Sequence, residues 1–179
     1  MSGENYYEPA YEEAKDLYQK GEVLFRQDKI HEADTYLQKA VDMRVPYLQL
    51  YLLKIECDLR LKNLKQALGY CNQAIEILDD PKCHIRDSLA HRLDLLHSKS
   101  KIYHEMQIFD KALKEMDKIE SVLKKAFEEH KISYDEYKEL SNKFSQETKI
   151  IKLAVSEPKV NFCINVILKK TSIQLVTKQ

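Results

Sequence analysis

The chain repeats itself with a period of 34 residues between positions 17 and 81, and this periodicity limits its fold more than any other feature. Ala33 recurs as Ala67, and Ala40 recurs as Ala74. A period of 34 is typical of a helix–turn–helix unit in which small residues occupy the positions where two helices approach closely. The sequence therefore predicts two consecutive pairs of helices, one pair for each copy of the repeat.

Helix boundaries follow from the turn signals between the apolar stripes. Pro9 suits the first turn of a helix. Pro46 marks the passage from the first pair to the second, because the residue before a proline is pushed out of helical geometry. Only 3 residues are glycine and 4 are proline, which favours helices over a β-fold rich in tight turns. The four predicted helices begin near residue 9 and then cover about 30–43, 47–61 and 64–78.

After Pro81 the period slips, because the next matching small residue, Ala112, lies 45 rather than 34 residues beyond Ala67. The additional residues fit a longer first helix, from about 87 to 107, whose partner begins at Asp110. This spacing predicts a third, irregular helix pair.

A further helix is predicted from Ser133, because Ser133 followed by Glu136 is a capping-box signature. A stack of repeats exposes apolar surface at its last unit unless another element covers it, so we expect this helix to close the stack and to end by Pro158. The predicted organisation is a flexible leader (1–8), a helical repeat domain with its capping helix (9–155) and an apolar C-terminal tail (156–179).

The tail differs in kind from the rest of the chain. Residues 160–168 are rich in β-branched side chains, contain no charge, and lie between Lys159 and Lys169. A segment of this kind aggregates if it is left exposed, so we expect it to be covered. Two alternatives remain open: the segment packs on the last helices of its own chain, or it pairs with another copy or with a partner protein.

The arrangement inside each unit resembles that of the tetratricopeptide repeat (TPR) over about residues 9–127. The first unit reads LYQKGEVL at 17–24 and ADTYLQKA at 33–40, and the second closes on EILDDP at 76–81, similar to the family's terminal Leu-Asp-Pro. The chain departs from the family pattern at Leu17, where an aromatic residue is usual, and at Ile55, where glycine is usual. The resemblance implies an all-α fold: a right-handed superhelix of about three TPR-like helix hairpins, a C-terminal capping helix and a short apolar tail.

In TPR proteins the first helix of each unit lines a concave groove that holds a peptide or a helical segment of another protein, and the resemblance implies such a groove here. The residues at the matching positions form the predicted partner-binding site. They are Lys15, Tyr18, Glu22, Phe25, Arg26, Gln49, Leu52, Glu56, Leu59, Arg60, His97, Lys101 and His104.

Some TPR proteins, the co-chaperones that bind the acidic C-terminal tail of Hsp70 or Hsp90, share a carboxylate clamp of lysine, asparagine and arginine side chains. The matching positions here are Tyr18, Glu22, Leu53, Asp94 and Ser98, and none of them carries the clamp residue. Glu22 and Asp94 would repel a carboxylate. The sequence therefore disfavours a chaperone-tail-binding co-chaperone.

The pairs Glu22–Arg26 and Glu56–Arg60 repeat the same opposite charges at the same place in two units. Two interpretations remain open. Pairs at this spacing stabilise an isolated helix by about 0.2–0.5 kcal/mol each. Arginine beside aromatic residues in a concave surface is also a usual anchor of a protein–protein interface.

Charge balance and hydropathy argue against several classes of function. Because 29 basic and 29 acidic residues give a formal net charge of zero, no overall field attracts nucleic acid or an anionic membrane. No apolar run is long enough to span a membrane. The 4 cysteines show no CxxC spacing and are expected to be reduced thiols, which predicts a cytoplasmic protein with access to the nucleus.

Four histidines could suggest a metal-binding site, but their spacing argues against one. His84, His91, His97 and His104 are separated by seven, six and seven residues. Seven residues on a helix span roughly 10 Å, too far for two rings to share one ion, and a helical metal pair needs i,i+4 spacing. We expect no metal site and no cofactor, and the sequence offers no catalytic constellation.

These observations predict a non-catalytic adaptor that binds a peptide or helical segment of a partner protein in the TPR groove. The alternative from a different class is a self-associating structural subunit of a multiprotein assembly, a homo-oligomer that uses the C-terminal tail.

Overall fold

The computed structural model describes residues 7–80 and 88–156, with side chains from Pro9 onward, and these residues form helices and no strand. The all-α prediction is confirmed. The helices, in chain order, are α1 (Tyr7–Arg26), α2 (Ile30–Asp42), α3 (Leu48–Arg60), α4 (Leu64–Asp79), α5 (Ser88–Glu105), α6 (Phe109–Glu128) and α7 (Tyr134–Ser156).

The chain divides into two compact units between Met106 and Gln107. In the first unit α1 packs along α2, α3 packs along α4, α2 contacts α3, and α4 contacts α5. In the second unit α6 packs along α7. The first two predicted hairpins are therefore confirmed. The helices predicted for the third hairpin, α5 and α6, belong to different units, and their pairing stays a prediction.

Small residues stand at the helix contacts, as the period of 34 predicts. Ala33, Ala40, Ala67 and Ala74 have no exposed surface. Gly21 of α1 is equally constrained, because a Cβ atom added there would lie 2.8 Å from the side chain of Leu37 on α2. Because no side-chain atom extends beyond Cβ at these positions, the paired helices approach closely.

Five helices end without glycine. The residue that follows the last turn of a helix often adopts a left-handed conformation, for which glycine is the favoured residue. Here residues with side chains adopt positive φ values between 55° and 63° at Asp28, Arg44, Lys62, Gln107 and His130. The turn after α1 shows the hydrogen bonding that accompanies this conformation, since the backbone N–H of Lys29 donates to the carbonyl oxygen of Leu24 at 3.0 Å.

The core of the first unit contains a charged pair that the sequence did not predict. Lys54 and Asp58, both on α3, are 1% and 0% exposed. The Lys54 ammonium also donates to Asp34 of α2 at 2.8 Å and lies 5.0 Å from the ring centroid of Tyr70 on α4. This lysine therefore connects three helices of the two hairpins.

In the second unit the predicted capping box at the start of α7 is confirmed. The backbone N–H of Ser133 donates to the Glu136 carboxylate at 2.8 Å, and the N–H of Glu136 donates to the Ser133 hydroxyl at 3.2 Å. The Ser133 hydrogen bonds lower the pKa of Glu136, because they favour its charged form. The apolar segment 160–168, like Cys83 and Cys163, lies outside the described residues.

Candidate functional site

The first row of predicted partner-binding residues lies on one face of α1. Tyr18, Glu22 and Phe25 follow one another at helical spacing, and each is partly exposed. Lys15 extends this row toward the start of the helix and lies 3.5 Å from Glu12. Arg26, whose side chain is 76% exposed, donates to Glu22 at 2.9 Å.

The second row lies on α3 and repeats the first. Leu52 and Leu59 are partly exposed and flank the exposed Glu56, just as Tyr18 and Phe25 flank Glu22. Gln49 and Arg60, also exposed, lie at the two ends of the row. None of the ten predicted residues on α1 and α3 is buried, so both rows are accessible to another molecule.

Arg60 connects the two rows. Its guanidinium carbon lies 4.2 Å from the centroid of the Phe25 ring on α1. The same side chain approaches Asp28, in the turn after α1, at 3.2 Å, and Glu56 of its own helix at the longer distance of 3.7 Å. Both predicted i,i+4 pairs are thus formed, but Arg60 also holds α3 against the end of α1.

Three tyrosines form an aromatic cluster at the other end of the two rows. The ring of Tyr47, which precedes α3, lies 5.1 Å from that of Tyr18 and 5.5 Å from that of Tyr11, measured between centroids. Burial, aided by the negative charge of Glu22, raises the pKa of Tyr18 to about 12. The Glu22 carboxylate therefore lies beside Tyr18 and is paired with Arg26.

The third row, His97, Lys101 and His104, lies on α5 of the same unit. The buried residues Leu95 and Ile102 anchor α5 in the hydrophobic cluster of α1 to α4, and Lys62 forms a 2.7 Å ion pair with Glu105 at the end of α5. Lys101 is exposed, whereas His97 and His104 are partly buried. Burial lowers the pKa of His104, against the opposing charge of Glu105, so this ring is neutral at physiological pH.

Tyr11, Tyr47 and Asp28 belong to this site by their contacts, although they were not among the predicted residues. Tyr11 lies seven residues before Tyr18, so helical spacing alone places it on the same face. Asp28 and Tyr47 lie outside the helices, where periodicity carries no signal.

Two open pockets of the first unit are lined by residues outside the predicted partner-binding rows. One, of about 480 Å³, is lined by Arg44, Pro46, Tyr51, Gln73, Glu76, Ile77 and Asp80. The other, of about 560 Å³, is lined by Asp16, Gln19, Lys20, Val23, Leu24 and Tyr36.

Two kinds of feature are absent from the described part of the chain. Over residues 7–80 and 88–156 no three histidine, cysteine or acidic side chains are grouped so that they could hold a metal ion. Within the same ranges no helix combines the length and the apolar character that crossing a membrane requires.

The paired helices, the small residues at their contacts and the repeated face define a helical-repeat protein with a TPR-like fold. Among solved structures, the chain is similar to the first TPR of Spaghetti (RPAP3) bound to the HSP90 peptide SRMEEVD. The two are 17% identical, the match covers 82% of this chain and 95% of that one, and the TM-score is 0.56. At this identity the likeness concerns the fold alone. No protein-family model matches the chain, and no curated protein matches it in sequence.

Proposed function

We propose that this protein is a non-catalytic adaptor that binds a peptide or helical segment of another protein on the face formed by α1, α3 and α5. The observation that carries the proposal is the repeated row on α1 and α3, in which partly exposed aromatic and aliphatic side chains alternate with charges. Aromatic and arginine side chains on a rigid surface are the usual anchors of protein–protein interfaces. The similarity to a TPR structure that contains a bound peptide agrees with this function.

The peptide in that related structure, SRMEEVD, is acidic, and we infer that this chain selects a different partner. Glu22 occupies a position where the carboxylate clamp needs a neutral or basic side chain, and it is 32% exposed. Asp94 is exposed at another clamp position. Like charges placed opposite each other disfavour a complex, so an acidic tail is the disfavoured ligand.

Affinity capture with a matched pair of variants tests the proposal. The folded protein is immobilised, the proteins that it retains from a cell extract are identified, and the capture is repeated with Arg26→Ala/Arg60→Ala. We expect this variant to lose the specific partner. The control, Lys65→Ala/Lys138→Ala, removes two positive charges from exposed positions on α4 and α7 and is expected to retain it. Unchanged capture by Arg26→Ala/Arg60→Ala, with circular dichroism showing that it is folded, would contradict the proposal.

We infer that the adaptor acts in the cytoplasm with access to the nucleus. Cys57 and Cys71 are buried as free thiols, and reduced cysteines are typical of these compartments. Microscopy of a fluorescent fusion tests this inference, and accumulation in the secretory pathway would contradict it.

A second candidate function is self-association, and one observation favours it. Leu153 and Val155, near the end of α7, are 55% and 47% exposed, although both are apolar. The apolar segment 160–168 follows them in sequence. Sedimentation velocity of the full chain, compared with a chain that ends at Glu157, tests the idea: a homo-oligomer that uses the tail becomes monomeric on truncation, and two equal monomeric species would rule it out.

A further inference from the structure

The two rows on α1 and α3 share one pattern of side chains, and this pattern indicates the chemistry of the partner. Tyr18, Glu22 and Phe25 on α1 correspond, 34 residues later, to Leu52, Glu56 and Leu59 on α3. In each row an apolar residue is followed by a carboxylate at i+4 and by a second apolar residue at i+7. The two apolar residues of a row are therefore roughly 10 Å apart along the helix, with the carboxylate between them.

The carboxylates remain available to a ligand. Glu56 is 54% exposed, and Arg60 approaches it at 3.7 Å. The Arg60 guanidinium also contacts Phe25 and Asp28. Glu22 is paired with Arg26 more closely, but Arg26 is 76% exposed. Exposed i,i+4 pairs contribute only about 0.3–0.5 kcal/mol, so a cation supplied by a partner competes readily with either arginine.

We propose, on the basis of the function proposed above, that the partner segment is an amphipathic helix with a basic residue between two apolar residues on one face. A helix that lies along α1 and α3 presents residues i and i+7 on one side, also roughly 10 Å apart, and residue i+4 between them. Its apolar residues then contact Leu52 and Leu59, or Tyr18 and Phe25. Its lysine or arginine meets Glu56 or Glu22.

Four synthetic peptides test this inference by fluorescence anisotropy. The basic probe is a helix-forming peptide of about 20 residues, a length at which helices become stable in water, with Leu-x3-Lys-x2-Leu on one face. The acidic probe replaces that lysine with glutamate. The third probe is the basic one with a proline in its middle, which breaks the helix. The fourth is SRMEEVD, the peptide in the similar structure.

We expect the basic probe to bind and each of the other three to bind at least tenfold more weakly, a difference of ~1.4 kcal/mol. The variant Glu22→Lys/Glu56→Lys is expected to reverse the preference, so that the acidic probe binds more tightly than the basic one. Its control, Glu13→Lys/Glu120→Lys, makes the same change of charge at exposed positions, one of them on the opposite face of α1 and one on α6, and should leave the preference unchanged.

The inference is overturned if the basic probe does not bind. It is also overturned if the acidic probe, the proline probe or SRMEEVD binds as tightly as the basic probe. These outcomes are distinct from failure of the adaptor function. If the probes fail while Arg26→Ala/Arg60→Ala still abolishes capture of a partner, the face binds a protein of other chemistry. If substitutions on this face change neither peptide binding nor affinity capture, the proposed adaptor function is contradicted as well.

Discussion

Lys54 Nζ lies 2.9 Å from each carboxylate oxygen of Asp58, in the interior of the first unit. Burial opposes the charge on Lys54, but its hydrogen bonds to Asp34 and Asp58 outweigh this effect and raise the pKa of the lysine above its usual value. The side-chain amide of Asn63 donates a further hydrogen bond to Asp58 at 3.3 Å. Burial nevertheless raises the pKa of Asp58, against the opposing effect of its hydrogen bonds with Lys54 and Asn63. Each buried charge thus has hydrogen-bonded polar partners, which is the condition for keeping ionised groups in a protein core.

Removal of one partner should destabilise the protein strongly. Lys54→Met leaves the buried Asp58 without its counter-ion, and we expect a loss of about 3–5 kcal/mol in the free energy of unfolding, measured by urea denaturation. The double variant Lys54→Met/Asp58→Leu removes both buried charges and should recover most of that loss. A double variant as unstable as the single one would show that Lys54 matters for its packing rather than for its charge.

Gly69 and Gly21 should respond in opposite ways to alanine. A Cβ atom at Gly69, within α4, has no neighbour within 4 Å, whereas one at Gly21 would meet the buried Leu37 at 2.8 Å. Gly69→Ala should therefore stabilise the protein by about 0.5–1 kcal/mol, since alanine is the better helix former. Gly21→Ala should destabilise it by about 1–3 kcal/mol, since Leu37 must move. Thermal denaturation of both variants checks this, and equal effects would contradict the close contact of α1 and α2.

The lowered pKa of His104 predicts that the folded protein loses stability in mild acid. Burial lowers its pKa in the folded protein below the usual 6.5, so the unfolded chain binds the proton more tightly. The neutral ring contributes fully to the stability of the folded protein above pH 6.5. This contribution is lost as the pH falls toward the folded-state pKa of His104. We expect the melting temperature to fall between about pH 7.5 and about pH 5.5, and His104→Gln to reduce that fall. An unchanged pH dependence in the variant would exclude His104 as its source.

The thiol of Cys57 should be unreactive in the native protein. Burial, aided by the negative charge of Asp34, raises its pKa to about 12, and the side chain is inaccessible. Since the thiolate is the nucleophile, iodoacetamide should modify Cys57 only after unfolding in guanidinium chloride, as read by peptide mass spectrometry. Modification of the native protein at the rate of the denatured one would show that this part of α3 opens readily.

The left-handed residue after α6 offers a stabilising change. His130 is exposed and has a φ of 55°, a conformation that is strained for a residue with a side chain. His130→Gly should raise the free energy of unfolding by roughly 1 kcal/mol, because glycine adopts this conformation without strain. A control, Lys114→Gly, places glycine at an exposed position in the interior of α6 and should lower it by a similar amount. The same sign for both changes would contradict the assignment of His130 to a helix end.

Features governed by local spacing were predicted from the sequence. The alanines at the helix contacts followed from the period of 34, and the capping box at Ser133 followed from two residues three apart. The face on α1 and α3 was predicted from the resemblance to the TPR family, and its residues share one side of each helix because they recur every three or four positions. That other molecules bind there stays a prediction.

The sequence alone determined the helices, their pairing in the first two hairpins and the side chains that share a face, because each depends on residues close together in the chain. Only the tertiary structure decided that Lys54 is buried and that Arg60 binds across to Phe25 and Asp28. Lys54 meets Asp34, which lies 20 positions earlier in the chain, and Arg60 meets Asp28, which lies 32 positions earlier. Whether a charge is solvated or compensated depends on those distant neighbours, and periodicity carries no information about them.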